Sequence, residues 1–163
     1  MGSDWVVSLL PKETALGFCD VWMPLVYKAL PHDEWDLGAL LRDIRQETSA
    51  VFIVHQGSDI AAAGVLQVIE YPLCRKLRVF ALGGSGMDQW QLRLAEFFDA
   101  YARHVNASGI EIVGRKGFSR VLKPLGYEER YVVLEKEVRH GEGSGRSEGC
   151  FHPQPGAVST ALH

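Results

Sequence analysis

The chain has 163 residues, 47% of them apolar and 23% charged, with a formal net charge of −3. That length accommodates one domain with an ordinary core, and the balance of apolar and charged residues excludes wholesale disorder. A pI near 6.1 argues against specific nucleic-acid binding, which needs a basic face, and three scattered cysteines, Cys19, Cys74 and Cys150, make no disulfide framework.

No membrane partner is expected. The most apolar stretch, Ile60 to Ile69, is interrupted by Gly64 and Gln67 and falls well short of the ~20 residues that cross a bilayer. The opening MGSDWVVSLLPKE has no basic region followed by an apolar run, so it is not expected to act as a signal peptide. Val6 stands where a myristoylation signal requires Ser or Thr.

Trp5 to Leu10 is a β-rich run closed by Pro11. Ala15, Cys19, Trp22, Val26 and Ala29 give residues 12–30 helical spacing, with a kink or break expected at Pro24. Asp33 is positioned to cap a helix over 34–47, whose apolar face is Leu37, Leu40, Leu41 and Ile44. The period then changes. Ala50 to Val54 forms one arm of a hairpin, Gln56-Gly57-Ser58-Asp59 the turn, and Ile60 to Tyr71 the other arm. Lys76 to Leu82 continues the meander. A helix over 88–106 buries Trp90, Leu94, Phe97, Phe98, Tyr101, Ala102 and Val105 along one stripe. Ile110 to Val113 is a further strand, 118–125 a short helix stopped by Gly126, and Glu129 to Val138 a last strand. The order β-α-α-β-β-β-α-β-α-β predicts a mixed α/β fold, a mostly antiparallel sheet flanked by helices, with one β-α-β crossover at 77–113. The four tryptophans, Trp5, Trp22, Trp35 and Trp90, read as core residues.

The domain is expected to end at Arg139. Residues 140–163, HGEGSGRSEGCFHPQPGAVSTALH, hold five Gly, three Ser and two Pro, a composition that cannot offset its own ordering entropy by burial.

Several residues are candidates for chemistry. Gly83-Gly84-Ser85-Gly86 lies between a strand and a helix N-terminus, where it serves either as a tight turn or as an anion cradle built from free amides. Met87 rules out a nucleophile elbow, and neither a Walker loop nor a dinucleotide fingerprint is present. Asp88 in the first helical turn opposes an anion. Arg115, Lys116, Arg120 and Lys123 form a basic cluster, read as solvated surface or as a phosphate or acidic-partner contact. Glu111 interrupts an apolar strand and is a candidate general base if half-buried, or a solvated strand end if not. Glu70 is the other candidate base. The six histidines show no metal-ligand spacing; Cys150-Phe151-His152 with His140 comes nearest, and no metal is expected.

The element order and two segments resemble the GNAT acetyltransferase family. The run from Leu77 through Gly86 into the helix 88–106, then IEIVGRKGFSRVLKPLGYEERYVVLEKEV, is similar to the second half of that fold, with Leu125-Gly126-Tyr127 matching its Leu-Gly-Phe/Tyr element. More narrowly, ALGG, VGRKGF and LGYEERYVVLEKEV resemble small acetyltransferase-like proteins of tailed bacteriophages, some of which are virion components. In active members of the family a Gln/Arg-x-x-Gly-x-Gly/Ala loop holds the pyrophosphate of acetyl-CoA. The matching positions, Leu82, Gly83, Gly84, Ser85 and Gly86, lack the leading Gln or Arg. A tyrosine that protonates the leaving thiolate is replaced by Leu122, with Tyr127 and Tyr131 nearby.

The resemblance therefore implies two alternatives. One is a non-catalytic bacteriophage virion protein, in the virion or host cytoplasm, binding other virion proteins or copies of itself through 140–163 and needing no cofactor. The other is an acetyl-CoA-dependent N-acetyltransferase, with Leu82 to Gly86 at the cofactor and Glu70, Glu111 or Tyr127 as catalytic groups.

Overall fold

The computed structural model describes residues 4–30, 34–115 and 117–140. The chain divides into two units, Met1–Glu129 and Arg130–His163.

In the first unit, β1 (Val6–Leu10) leads into two short helices, α1 (Lys12–Gly17) and α2 (Cys19–Tyr27). The break falls at Phe18 (φ −115°, ψ 27°) rather than at the predicted Pro24, which stays inside α2 and removes one helical donor. The indole of Trp22 donates to the Ala15 carbonyl at 2.7 Å, binding the two helices together. The next helix, α3 (Leu37–Arg45), begins later than predicted. Its cap is Asp36, whose carboxylate accepts from the Ala39 amide at 2.7 Å, the N3 contact that a capping side chain makes. Asp33 lies outside the described residues.

Four further strands follow: β2 (Ala50–Gln56), β3 (Asp59–Glu70), β4 (Arg75–Gly84) and β5 (Gly109–Ile112). The sheet order is β1-β2-β3-β4-β5. The first four strands are antiparallel and β5 joins β4 in parallel. Gln56 pairs with Asp59, leaving Gly57-Ser58 as a two-residue turn with Gly57 at φ +60°, as hairpin twist requires. The long helix α4 (Met87–His104) makes the crossover from β4 to β5. After β5 come α5 (Phe118–Leu122) and a 3-10 turn, Lys123–Leu125.

Two apolar layers sandwich the sheet. On one face Ala15 of α1, Trp22 and Val26 of α2, and Leu40 and Ile44 of α3 pack on Val51, Ala63, Val65 and Ala81. On the other, Trp90, Leu94, Phe98 and Ala102 of α4 pack on Phe52, Val54, Leu66, Leu77 and Val79. The offsets of the α4 residues give one helical stripe, and the alternation along β2 and β3 sends neighbours to opposite layers. Trp5 and Trp35 are only half-buried, so two of the four tryptophans belong to the core proper. No described helix is long and apolar enough to cross a membrane.

Residues 129–138, predicted as the closing strand, form none among the described residues. Alternation settles which face a strand would bury, but a strand exists only where a ladder partner takes its amides and carbonyls. The described sheet ends at β5.

Candidate functional site

The site begins with an irregularity in β4. Val65 pairs with Ala81 and Leu66 with Val79, so Phe80 is an extra residue, a β-bulge that re-aims the strand. Before the bulge Leu77 and Val79 face α4; from the bulge on, Phe80 and Ala81 turn to the other layer, where Trp35 meets Phe80 edge-on at 4.7 Å. The ladder to β5 stops at the same point, with Val79 opposite Ile112 and a final bond from the Val113 amide to the Val79 carbonyl at 3.4 Å. β4 continues to Gly84 while the chain beyond Ile112 turns away. Among the described residues, the outer backbone edge of 80–84 has no strand beside it.

This divergence opens a cavity of about 280 Å³. Met87, Leu94 and Phe98 of α4 supply one apolar wall, and Phe118, Leu122 and Leu125 another. The polar groups are few: the cations of Lys28 and Arg115, the amide of Gln91 and the phenol of Tyr127. No carboxylate lines it among the described residues. An apolar slot edged by two cations and a free strand edge suits a long, thin ligand with an anionic end.

Leu82, Gly83 and Gly84 line the cavity, and Ser85 and Gly86 carry the chain into α4. The backbone of this segment is a tight turn. A Cβ on Gly83 would lie 1.9 Å from the Leu25 carbonyl oxygen, so glycine here lets β4 press against α2. Gly84, at φ +151°, would place a Cβ 2.3 Å from the Ala61 oxygen, and the Ser85 amide closes the turn on that oxygen at 3.0 Å. Beyond the turn, Gly86 takes the N-cap position at φ +72° and brings no side-chain cap. The first amides of α4 are thus left without an intrahelical acceptor, apart from that of Gln89, which bonds the Gly86 carbonyl at 2.9 Å. Trp90 fixes the turn by donating to the Ser85 carbonyl at 2.9 Å. Asp88 is exposed and does not line the cavity.

The predicted bases lie elsewhere. Glu111 is half-buried on β5 opposite Arg78, whose Nε donates to it at 2.7 Å, while the Tyr71 hydroxyl lies 3.0 Å from both carboxylate oxygens. Neither oxygen is free. Glu70 is largely exposed and ion-paired with Arg75. Neither residue lines the cavity. Tyr127 does, and burial, helped by the charge of Asp99, pushes its phenol up to about 12; the group is a hydrogen-bond donor at neutral pH. Of the basic cluster, Arg115 reaches the cavity, while Arg120 and Lys123 are exposed and do not line it. Lys116 lies outside the described residues. Sequence reasoning missed Lys28 and Gln91, whose positions just after α2 and on α4 carry no motif.

No protein-family model matches the chain, and no curated protein sequence does. Solved structures do match. An aminoglycoside acetyltransferase from an uncultured soil metagenomic sample, in complex with sisomicin, superposes with a TM-score of 0.60 at 16% identity, over 83% of this chain and 97% of that one. A predicted acetyltransferase from Clostridium acetobutylicum, solved with acetyl-CoA, gives 0.60 at 13% identity, over 82% and 96%. A GNAT family acetyltransferase from Staphylococcus aureus gives 0.56 at 14%, over 85% and 100%. Nothing in these comparisons points to bacteriophage. At such identities the likeness concerns architecture, and on it the chain has the fold of the GNAT acetyltransferases.

Proposed function

We propose that the chain is an acetyl-CoA-dependent N-acetyltransferase. The observation that carries this reading is the cavity where β4 and β5 part: apolar along its length, free of carboxylates among the described residues, edged by Lys28 and Arg115, and reaching the turn that opens α4. The donor set fits the cofactor. Uncapped amides at the start of α4, with the positive end of its dipole, favour a pyrophosphate, and the two cations add to that field. The free edge of 80–84 offers amides and carbonyls to the amides of a pantetheine arm. Bound acetyl-CoA supplies an acetyl thioester open to attack by an amine. The protein's part is to orient that group along β4, exclude water with the apolar walls, and present the Tyr127 hydroxyl as a donor.

The structural neighbours are acetyltransferases, and they favour this reading over the non-catalytic virion one. The latter rests on resemblance of sequence segments, and the tail it invokes lies, beyond His140, outside the described residues.

Calorimetric titration of acetyl-CoA into the full-length protein tests the proposal. The expected dissociation constant lies between roughly 1 μM and 1 mM, weakened about tenfold by Arg115→Glu through loss and reversal of a charge at the cavity edge. No heat at millimolar acetyl-CoA would overturn it and favour the non-catalytic reading.

A further inference from the structure

β1 is the outermost strand of the sheet, and among the described residues no strand pairs with its far side. Edge strands ordinarily carry a defence against further pairing: a charge, a proline or a bulge. Val6-Val7-Ser8-Leu9-Leu10 carries none of these. Its ladder to β2 runs in unbroken register from Val6 opposite His55 to Leu10 opposite Val51. The irregularities of the sheet fall instead between β2 and β3 and between β3 and β4. A regular, uncharged edge of this kind is a template for another strand, and the residues on either side of it indicate which one.

We propose that the outer edge of β1 is an interaction surface for a second copy of this chain, joined to it by antiparallel pairing of the two β1 strands. A two-fold axis normal to the sheet sets one residue opposite its own copy. Centred on Ser8, all five residues of β1 find a partner: Val7 faces Leu9 of the second copy, and Val6 faces Leu10. Whichever alternate residues turn their amides outward, they meet their equivalents, 6, 8 and 10 with 10, 8 and 6, or 7 and 9 with 9 and 7. Val6 and Leu9, the two exposed apolar residues of the strand, thereby gain apolar neighbours, one on each face of the sheet. Beyond the strand, Trp5 faces Pro11, which is still extended at ψ 151°, and Asp4 faces Lys12. Asp4 is exposed. The Lys12 ammonium, 3.6 Å from Glu47 in a solvent-exposed pair, keeps donors for a second carboxylate. The neighbouring registers are worse. Centring on Val7 sets Asp4 against Leu10, and centring on Leu9 sets Val6 against Lys12.

Pairing along one short edge covers less area than a standard interface, so a dissociation constant on the order of 0.1 mM is expected. Sedimentation velocity of the full-length protein, from about 5 μM to about 1 mM, reads it directly. Val6→Lys puts a charge on the edge and is expected to weaken the dimer by about tenfold or more. Val6 is already exposed, so the thermal midpoint of the dilute variant is expected within about 2 °C of the parent. Ser8→Cys reads the register independently. Directly opposed Cα atoms lie about 4.5–5.5 Å apart, inside the roughly 4.4–6.8 Å that a disulfide spans, so mild oxidation is expected to link two copies through position 8. Val6→Cys sets its equivalents roughly 13 Å or more apart and is expected not to link them. Peptide mapping separates these links from any through Cys19, Cys74 or Cys150. A monomer throughout the range, a dimer indifferent to Val6→Lys, or linkage through position 6 rather than position 8 would each overturn the proposal. Protection of every β1 amide from exchange in the dilute monomer would overturn it as well, because the edge would then be covered by its own chain. The readout does not depend on acetyl-CoA, so its failure and the failure of the acetyltransferase reading are separate.

Discussion

Tyr127 shows how a magnitude decides a role. Its phenol is held at about 12 by burial, with the Asp99 charge adding to the effect, whereas a thiol titrates at about 8.5. A proton would have to move uphill from the phenol to a departing thiolate. A hydrogen bond to developing sulfur charge demands no such transfer. Tyr127→Phe is therefore expected to lower kcat by less than about tenfold, the worth of a single hydrogen bond, with KM little changed in steady-state assays of the acetyl transfer. A fall of a hundredfold or more would mean that the phenol delivers the proton itself. The same shift bears on stability. Because the folded value lies above the ordinary 10, the folded state holds this proton longer than the unfolded one. Its contribution is complete below pH 10 and is lost as pH climbs toward about 12. Denaturant melts on either side of that window should show a larger alkaline loss in the parent than in the phenylalanine variant. Tyr101, also raised by burial, adds an alkaline loss common to both.

At the level of elements, the sequence announced most of what periodicity can announce. The apolar stripe of α4, the Gly57-Ser58 turn and the alternation of β2 and β3 are local patterns, and each appears where the residues place it. The bulge at Phe80 and the parting of β4 from β5 were not legible, because they depend on how far two strands remain partners. The break at Phe18 was missed for a related reason. Pro24 is the stronger local signal, yet tertiary packing of Trp22 on Ala15 keeps it within a helix. The glycines of the β4–α4 junction separate local from tertiary demands. Gly83→Ala forces a Cβ to 1.9 Å from the Leu25 carbonyl and is expected to destabilise by about 2–3 kcal/mol, lowering Tm by roughly 5–10 °C. For Gly86 the nearest atom would be 3.8 Å away, and Gly86→Ala bears only the left-handed backbone strain, about 1 kcal/mol. Thermal melts giving the reverse order would refute the view that Gly83 is there for β4–α2 packing.

For the whole molecule, the site is assembled from residues that no spacing rule connects. Lys28 follows α2, Gly84 ends β4, Gln91 lies on α4, Arg115 follows β5 and Tyr127 comes after the 3-10 turn. The Gly83–Gly86 turn was visible because strand, glycines and helix are contiguous; the cations and the phenol meet only through the crossover. The proposed boundary at Arg139 is open to test at this scale. A chain ended after Arg139 keeps both apolar layers, and its thermal midpoint is expected within about 2 °C of the full-length value; an unfolded product would place part of the core in 140–163.

The absence of a carboxylate from the described cavity lining has a consequence for catalysis. An ammonium acceptor must lose a proton before it attacks, and the nearest predicted bases, Glu70 and Glu111, are engaged by Arg75 and Arg78 outside the cavity. On the proposed acetyltransferase reading, the proton then leaves to water before or during binding, and the free amine is the form selected. On that account kcat/KM rises with pH along the titration of the acceptor itself, and changing the acceptor moves the curve by the difference between the two amines. Glu70→Gln and Glu111→Gln are each expected to retain kcat/KM within about threefold, the scale of a remote surface change. A pH limb fixed across acceptors and erased by Glu111→Gln would instead make that carboxylate the base, and would require the Arg78 pair to open when the amine binds.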